Sequence, residues 1–572
     1  MAETVYQAFA ERARRQPDAD FLCVEPVTAQ AYGIAAGALR YGEVLAQVEA
    51  LRDRYAAAGY GHGHRAGLLL ENRPAFFLHW FALNALGVSV VPINAELRSA
   101  ELRYLLEHSE LCLAISLPER IASLREAAAS NNDPAAVPVL LPPDHGGPVP
   151  PAPRPAPKAT EPITRASECA LLYTSGTTGR PKGCVLGNDY YLLAGEWYAT
   201  IGGLCTLRDA SRSPQALASQ TPPPEEAESA WSGPAPTQER MVTPLPLTHM
   251  NAMAYSAMAM VITGGCLVQL DRFHPGSWWQ TVRDTRATVV HYLGVMPAML
   301  LGAAPSPADR DHAVRFGFGA GVDRRQQAAF EQRFGFPLLE AWAMTETGAG
   351  AVVIANHEPR QVGMSCFGRA EPAVQWRLVG DDGGDVPTGQ PGELWVRAAG
   401  PDPKRGFFSE YLKDPEATAE AWADGWFHTG DLVRADENGY LYFVDRKKNV
   451  IRRSGENISA VEVESVLAQH PRVAAVAVAA APDEVRGDEV LACIVRRDPL
   501  PDEDLQSLAA QITQHALQQL AYYKAPGYVA FVDALPLTPS QKVQRAQLKA
   551  LAASLPGQPH CVDTRVLKRR QP

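Results

Sequence analysis

Between Thr174 and Gly183 the chain reads TSGTTGRPKG. Gly176, Gly179 and Gly183 permit tight turns and close backbone approach, and Thr174, Ser175, Thr177 and Thr178 bring hydroxyl donors. With the cations Arg180 and Lys182, such a loop offers what a polyphosphate needs: backbone N–H groups, hydroxyls and positive charge. The spacing is not GxxxxGK[ST], so this is not a Walker loop. The plainer reading of the same composition is a Ser/Gly/Thr surface turn. A second stretch, WAMTET, sets the flat ring of Trp342 three residues before Thr345, where it could stack on a purine. Glu346 beside it is a hard carboxylate suited to Mg²⁺, which takes one or two carboxylates together with substrate phosphates. Taken alone, Trp342 reads as a core residue.

These residues need a scaffold. TSGTTGRPKG follows the apolar CALLY and precedes a strand at 184–186. Upstream, the spacing predicts an amphipathic helix over 42–58, a buried strand over 65–70, a helix over 74–86 and a strand over 88–94. Strand, helix, strand in that order implies parallel βαβ units. The proline-crowded stretch 141–166 cannot form a ladder and reads as a linker or surface crossover separating sub-domains. The Pro/Ser/Ala-rich stretch 207–239 reads as a surface insertion. VITGGCLVQL and ATVVHYLGVMPAMLL read as strand-like runs followed by helical ones, and GELWVR and GYLYFVDR as strands of a more antiparallel region. Beyond about residue 448 come a helix at 460–467, VAAVAVAA, a strand at 490–495, a helix at 502–520 and a closing helix at 544–553. That tail is compact enough to be its own domain.

A chain of 572 residues with 46% hydrophobic and 20% charged residues has a large core to bury. A net charge of −10 argues against a general nucleic-acid binder. Nine scattered cysteines suggest neither a disulfide framework nor a zinc site. The N-terminus lacks the apolar core of a signal peptide, and no apolar run is long enough for a bilayer, so a reducing, cytoplasmic setting without a membrane partner is expected.

TSGTTGRPKG resembles the phosphate loop of the adenylate-forming superfamily of acyl-CoA ligases, adenylation domains and luciferases. In that family's order follow PLPLTHMNAM, EAWAMTETG, GELWVR, GWFHTGDL, YFVDRKKNVIRRSGENISAVEVE and LPLTPSQKVQRAQLK. The resemblance spans nearly the whole chain. It implies an α/β fold: a large N-terminal domain of layered sheets and helices with a β-rich subdomain over 1–447, and a small mobile α+β domain over 448–572. It assigns metal binding to Glu346, catalysis also to neighbouring Thr345, and adenine stacking to Trp342, where Tyr is the more usual ring. Asp431 and Arg446 are to hold the ribose hydroxyls, a carboxylate accepting two bonds and a guanidinium donating a fork. Lys542 matches the catalytic lysine, whose ammonium can offset charge on the carboxylate nucleophile and the α-phosphate. Gln541 stands where Gly is common. Lys448 falls at the family's hinge, and Arg452, Arg453, Ser454, Gly455 and Glu456 form the loop that in related ligases lines the thiol tunnel.

His249, in LTHMNAM, stands near where amino-acid-activating relatives carry an FDxS aspartate, which is missing here. It could gate the thiol tunnel or line the acyl pocket; a buried core histidine is the plainer reading. The segment VVHYLGVMPAMLL with FGFGAGV most resembles carnitine/crotonobetaine-type CoA ligases, which implies a short or medium acid. Gly294, Gly319, Ala320 and Gly321 are expected to leave space beside the α-phosphate. The implied activity is ATP- and Mg²⁺-dependent activation of a small carboxylic acid to an acyl-adenylate, then thioester formation with coenzyme A. Two alternatives are transfer to a carrier-protein pantetheine or an amine, and a nucleotide-sensing pseudo-enzyme. The tail after Lys549 is too short for a carrier module, which favours free CoA, and Lys568, Arg569 and Arg570 read as a solvated end. Homo-oligomerisation is left open.

Overall fold

The structure is a computed structural model that describes residues 2–95, 97, 99–129, 138–174, 181–204, 238–447, 450–453, 456–483, 487–500, 504–520, 522–537 and 543–568. The chain divides into two compact units. The first holds residues 1–376, 395–428 and 436–442, and the second 377–394, 429–435 and 443–572. The first unit is layered α/β. Its seven-stranded sheet runs Glu410–Tyr411, Lys182–Gly187, Glu168–Thr174, Ser89–Pro92, Arg65–Leu69, Leu113–Ser116, Val139–Leu141. Arg65–Leu69 pairs in parallel with both Ser89–Pro92 and Leu113–Ser116, as the βαβ reading requires. The helix Tyr41–Ala57 buries Tyr41, Val44, Leu45, Val48 and Tyr55, one stripe at helical spacing. The helix Pro74–Asn84 opens on proline, whose missing N–H costs nothing in the first turn.

The second sheet has eight strands in the order Val353–Ile354, Leu338–Trp342, Phe316–Ala320, Val289–Leu293, Arg240–Thr243, Cys266–Gln269, Asp20–Val24, Gly37–Arg40. The run from Leu338–Trp342 to Asp20–Val24 is parallel, so the carboxyl ends of those strands open on one edge. In such sheets ligands bind at that edge. Of VITGGCLVQL, only Cys266–Gln269 is strand. Val261–Thr263 instead closes the helix Met258–Thr263, which Gly264 ends with φ of 74°.

The stretch 141–166 does not separate sub-domains. The strands flanking it, Val139–Leu141 and Glu168–Thr174, belong to one sheet. Between them the chain is strapped to the first unit: Ala152 donates to the Ala58 carbonyl and Lys158 to that of His62, at 2.8 and 3.0 Å. His79 Nε2 lies 2.9 Å from the Pro143 carbonyl and His64 Nε2 3.1 Å from that of Arg154. Proline removes donors, not acceptors, so its segment can be held by its carbonyls. The insertion expected at 207–239 lies almost wholly outside the described residues, but Gln238 and Glu239 are built in. Gln238 donates to the Asp20 and Gly264 carbonyls, and Glu239 pairs with Arg315 at 2.8 Å.

A five-stranded sheet runs Cys366–Gly368, Leu441–Arg446, Phe427–Ala435, Pro391–Ala398, Val374–Val379, and its first pair is antiparallel, the region expected from GELWVR and GYLYFVDR. The second unit holds a six-stranded sheet, Glu456–Ser459, Val450–Arg453, Gly487–Arg496, Tyr528–Phe531, Cys561–Asp563, with Val473–Asp483 also on Gly487–Arg496. Helices Ala460–Leu467 and Leu505–Gln519 share one apolar cluster with it, and Arg545–Ser554 contributes Leu548 and Ala552 to another. Lys568 is no solvated end: its side chain is 1% exposed and bonded to Glu489. Among the described residues, no helix is long and apolar enough to cross a membrane.

Candidate active site

Thr174 ends the strand Glu168–Thr174 and pairs across an antiparallel hairpin with Lys182. Ser175, Gly176, Thr177, Thr178 and Gly179, between them, lie outside the described residues, as do Lys448, Gly455 and Lys542. The short strand Glu410–Tyr411 adds to the other side of Lys182–Gly187, with Tyr411 opposite Cys184. That pairing sets the Tyr411 ring 4.8 Å from Lys182 Nζ and its hydroxyl 3.0 Å from Glu346 Oε1, to which it donates. Glu346 is buried, its carbonyl accepts from the Phe408 N–H at 2.9 Å, and the preceding carbonyl, of Thr345, accepts from Tyr190 Oη at 2.9 Å. Lys182 also lies 3.8 Å from Asp414. Burial, with the Glu346 charge second, raises the Cys184 thiol well above its ordinary value and keeps it protonated. Lys182 and Glu346 are thus gathered around one phenol that no sequence argument singled out.

Trp342 closes the strand Leu338–Trp342, buried, with its ring centre 6.0 Å from that of Phe367. Glu340, two residues earlier, is buried beneath the turn after Phe316–Ala320. Its Oε2 accepts from the Gly321 N–H at 2.8 Å, and its Oε1 from Tyr292 Oη at 2.5 Å and the Val322 N–H at 3.2 Å. Burial outweighs these donors and pushes its carboxyl up to about 7. At two of the glycines the expected space is taken by backbone: a Cβ on Gly294 would sit 1.7 Å from the Gly321 carbonyl oxygen, and one on Gly319 2.3 Å from that of Tyr292, whereas one on Gly321 would meet nothing within 4 Å. Gly321, with φ of 79°, makes the turn. His249 follows Arg240–Thr243 in a turn and is exposed, not a core histidine. Among the histidines near this edge, His291 is the wholly buried one.

In the second unit Asp431, 1% exposed, meets Arg446 Nε at 2.6 Å. The Gly430 N–H beside it donates to Glu393, whose other oxygen takes Lys447 at 2.8 Å. The two residues assigned to the ribose are therefore brought together, each neutralising the other. Arg453, expected in the thiol-tunnel loop, turns its guanidinium inward onto Glu489.

A family model described as AMP-binding enzyme matches residues 9–408, and one described as AMP-binding enzyme C-terminal domain matches residues 462–542. The chain belongs to the AMP-binding enzyme family. It is 31% identical to a sulfoacetate–CoA ligase of Cupriavidus necator over 551 residues, covering 96% of this chain and 97% of that one. It is 30% identical to a crotonobetaine/carnitine–CoA ligase of Shigella sonnei over 519 residues, covering 89% and 92%. In fold it is similar to the o-succinylbenzoate CoA synthetase of Bacillus subtilis, solved with its acyl-adenylate intermediate, at a TM-score of 0.75, 24% identity and 95% and 97% coverage.

Within this AMP-binding frame the metal that the resemblance implies can be tested against the residues. Mg²⁺ binds through one or two carboxylates, phosphate oxygens and water. Glu346 fits: it is buried, backed by the Tyr411 hydroxyl on one oxygen, and linked through that phenol to Lys182 of the hairpin that pairs with Thr174. Among the described residues, no group of three or more His, Cys, Asp or Glu is placed to hold a metal. Tyr411 and Glu340 are the residues that sequence reasoning missed. Glu340 begins the quoted EAWAMTETG, and its acidic side chain inside a buried strand was the available signal.

Proposed function

We propose that the chain is an ATP-dependent acyl-CoA ligase for a short or medium carboxylic acid. A carboxylate oxygen of the acid attacks the α-phosphorus of ATP; an O–P bond forms, the α–β phosphoanhydride bond breaks, and pyrophosphate leaves. The sulfur of coenzyme A then attacks the acyl carbon; a C–S bond forms, the thiol proton is lost to solvent, and AMP departs. The observation that carries this reading is the Lys182–Tyr411–Glu346 cluster beside the Thr174 hairpin. Lys182 brings charge for the phosphates, and Tyr411 fixes the carboxylate on which Mg²⁺, when bound, would offset the charge of the triphosphate. Asp431 and Arg446 are proposed for the ribose, Trp342 for adenine, Lys542 for the α-phosphate and His249 for the acyl pocket or thiol entrance. Residues 1–447 and 448–572 would be the two domains, hinged at Lys448, because two half-reactions on one nucleotide need two arrangements of groups. The charged, short acids named in the sulfoacetate and crotonobetaine/carnitine ligases are the first candidates.

The test is turnover of purified protein with ATP, Mg²⁺ and a panel of acetate, butyrate, octanoate, crotonobetaine, carnitine and sulfoacetate, with and without CoA. AMP, pyrophosphate and acyl-CoA in equal amounts are expected. ADP formation, or an adenylate that a phosphopantetheinylated carrier or an amine consumes and CoA does not, would overturn the ligase assignment.

A further inference from the structure

The tail after the helix Arg545–Ser554 lies beyond the stretch that the C-terminal family model matches, which ends at residue 542. It is nevertheless built into the second unit. Cys561–Asp563 pairs antiparallel with Tyr528–Phe531, and the next residue, Thr564, donates from its N–H to the Gly527 carbonyl and from its hydroxyl to the Pro526 carbonyl, each at 2.9 Å. Arg565 packs over the Tyr528 ring and pairs with Asp483 at 3.1 Å and Asp563 at 2.7 Å. The chain then delivers Lys568 into the interior, where Nζ donates to Glu489 Oε1 at 2.5 Å and to the Tyr523 carbonyl at 3.3 Å. Glu489 is wholly buried and also accepts from Arg453 Nε, 2.9 Å from each oxygen. Gly527 makes room for it: a Cβ there would stand 2.4 Å from Glu489 Cγ and Cδ.

Lysine and arginine are almost never fully buried unless paired, because each loses its hydration. Glu489 therefore ties three stretches into one polar knot. Arg453 ends the strand Val450–Arg453, in register with Gly487 and with Glu456 of the hairpin partner Glu456–Ser459. Glu489 is the third residue of the strand Gly487–Arg496, and Lys568 comes from the tail. Arg453 belongs to the stretch 452–456 that the resemblance assigns to the thiol tunnel, and its inward guanidinium makes it a support for the hairpin of Val450–Arg453 and Glu456–Ser459. We infer that Lys568 is a positioning residue for thioester formation: through Glu489 and Arg453 it holds the hairpin of Val450–Arg453 and Glu456–Ser459 in place. This rests on the CoA-ligase reading above.

The test uses the full chain with Lys568→Met, which keeps an unbranched stem and removes the ammonium, and Lys568→Arg, which keeps a cation. Three quantities are read: pyrophosphate release with whichever panel acid releases most, single-turnover thioester formation when CoA is added to the preformed adenylate, and amide hydrogen exchange of residues 450–459 against 490–495. In Lys568→Met, thioester formation should fall about tenfold or more, the loss expected for a hydrogen bond to a charged group. Pyrophosphate release should stay within about twofold. Exchange at 450–459 should quicken about tenfold while 490–495 holds, and Lys568→Arg should recover part of both effects. Wild-type thioester rate and exchange in Lys568→Met would overturn the inference, as would equal loss of both half-reactions. If the wild-type protein makes adenylate that CoA never consumes, the ligase reading fails instead, and the exchange contrast still decides whether Lys568 holds the hairpin.

Discussion

Glu340→Gln probes the carboxyl beneath the Gly321 turn. In the folded chain burial holds this group up to about 7, against an ordinary 4.5. Between those two pH values the folded protein keeps the proton and the unfolded chain has lost it, so the unfolded state binds fewer protons and stability falls as pH rises. At 1.36 kcal/mol per unit the destabilisation reaches about 3 kcal/mol once pH exceeds 7. The Gln variant has no such slope but carries a fixed cost. Glu340 accepts from three donors, Tyr292, Gly321 and Val322. An amide NH₂ facing any of them leaves a buried donor unmatched, at about 1–3 kcal/mol. At pH 5 the wild type should therefore be the more stable protein, and by pH 8 the gap should close or reverse. Urea unfolding followed by tryptophan fluorescence at pH 5, 6, 7 and 8 measures that difference. A gap constant across the range would show that Glu340 is already ionised at pH 5, its donors outweighing burial, and would refute the reasoning.

Tyr411→Phe removes the donor to Glu346 and should cost adenylation about ten- to a hundredfold, with a raised Mg²⁺ requirement; an unchanged rate and Mg²⁺ titration would show that the carboxylate needs no support. Lys542→Ala should lower adenylation about 10²–10³-fold yet spare ATP binding, and near-normal pyrophosphate exchange would assign its role to another group. Replacing 207–237 by a short Gly/Ser linker should leave activity and melting temperature unchanged, whereas a replacement reaching Glu239 should destabilise by severing its pair with Arg315 and its bond from Thr288. Loss of acid affinity in the shorter replacement would make the insertion part of the substrate site.

What was legible in the sequence was local. Arg65–Leu69 announces itself by a short apolar run and Ser89–Pro92 by a β-branched one, and the helix between them by its period. Asp431 and Arg446 stood in recognisable stretches, and the sheet delivers them to 2.6 Å. What could not be read was pairing at a distance. Tyr411 earns its place because Glu410–Tyr411 joins Lys182–Gly187 across more than two hundred residues of chain, and nothing in SEYLKDPEAT states that partner. Lys568 looked like a solvated end because terminal charge runs usually are, and its acid lies 79 residues earlier. The proline-rich stretch was misread because proline's lost donors are visible in sequence while the histidines that grip its carbonyls are not.

The histidine that shapes the scaffold is a different one from the histidine that sequence reasoning weighed. His291 Nδ1 lies 2.8 Å from Ser256 Oγ and 3.2 Å from Asn251 Oδ1, and Nε2 lies 2.8 Å from Tyr198 Oη. Ser256 donates its own proton to the Asn251 carbonyl, at 3.3 Å, and an amide oxygen can only accept. These partners fit a ring hydrogen on Nδ1, with Nε2 accepting from Tyr198. Burial pushes the imidazole down to about 3, so this tautomer stays neutral wherever the protein is folded. The arrangement joins the helix Asn188–Ala199, the strand Val289–Leu293 and Asn251–Ala257, which is π-helical. A π-helical turn re-aims side chains at a cost in backbone geometry and tends to occur at functional sites. Here a neutral, fully bonded ring under an aromatic layer, with Phe318 4.9 Å from His291 and 4.5 Å from Tyr198, offsets that cost. The widened helix begins two residues after His249 and packs beside the strands whose carboxyl ends carry Gly294 and Gly321. Its shape is therefore set by a buried polar clamp that stays neutral in the folded protein, whereas Glu340, under the neighbouring Gly321 turn, is pushed up to about 7.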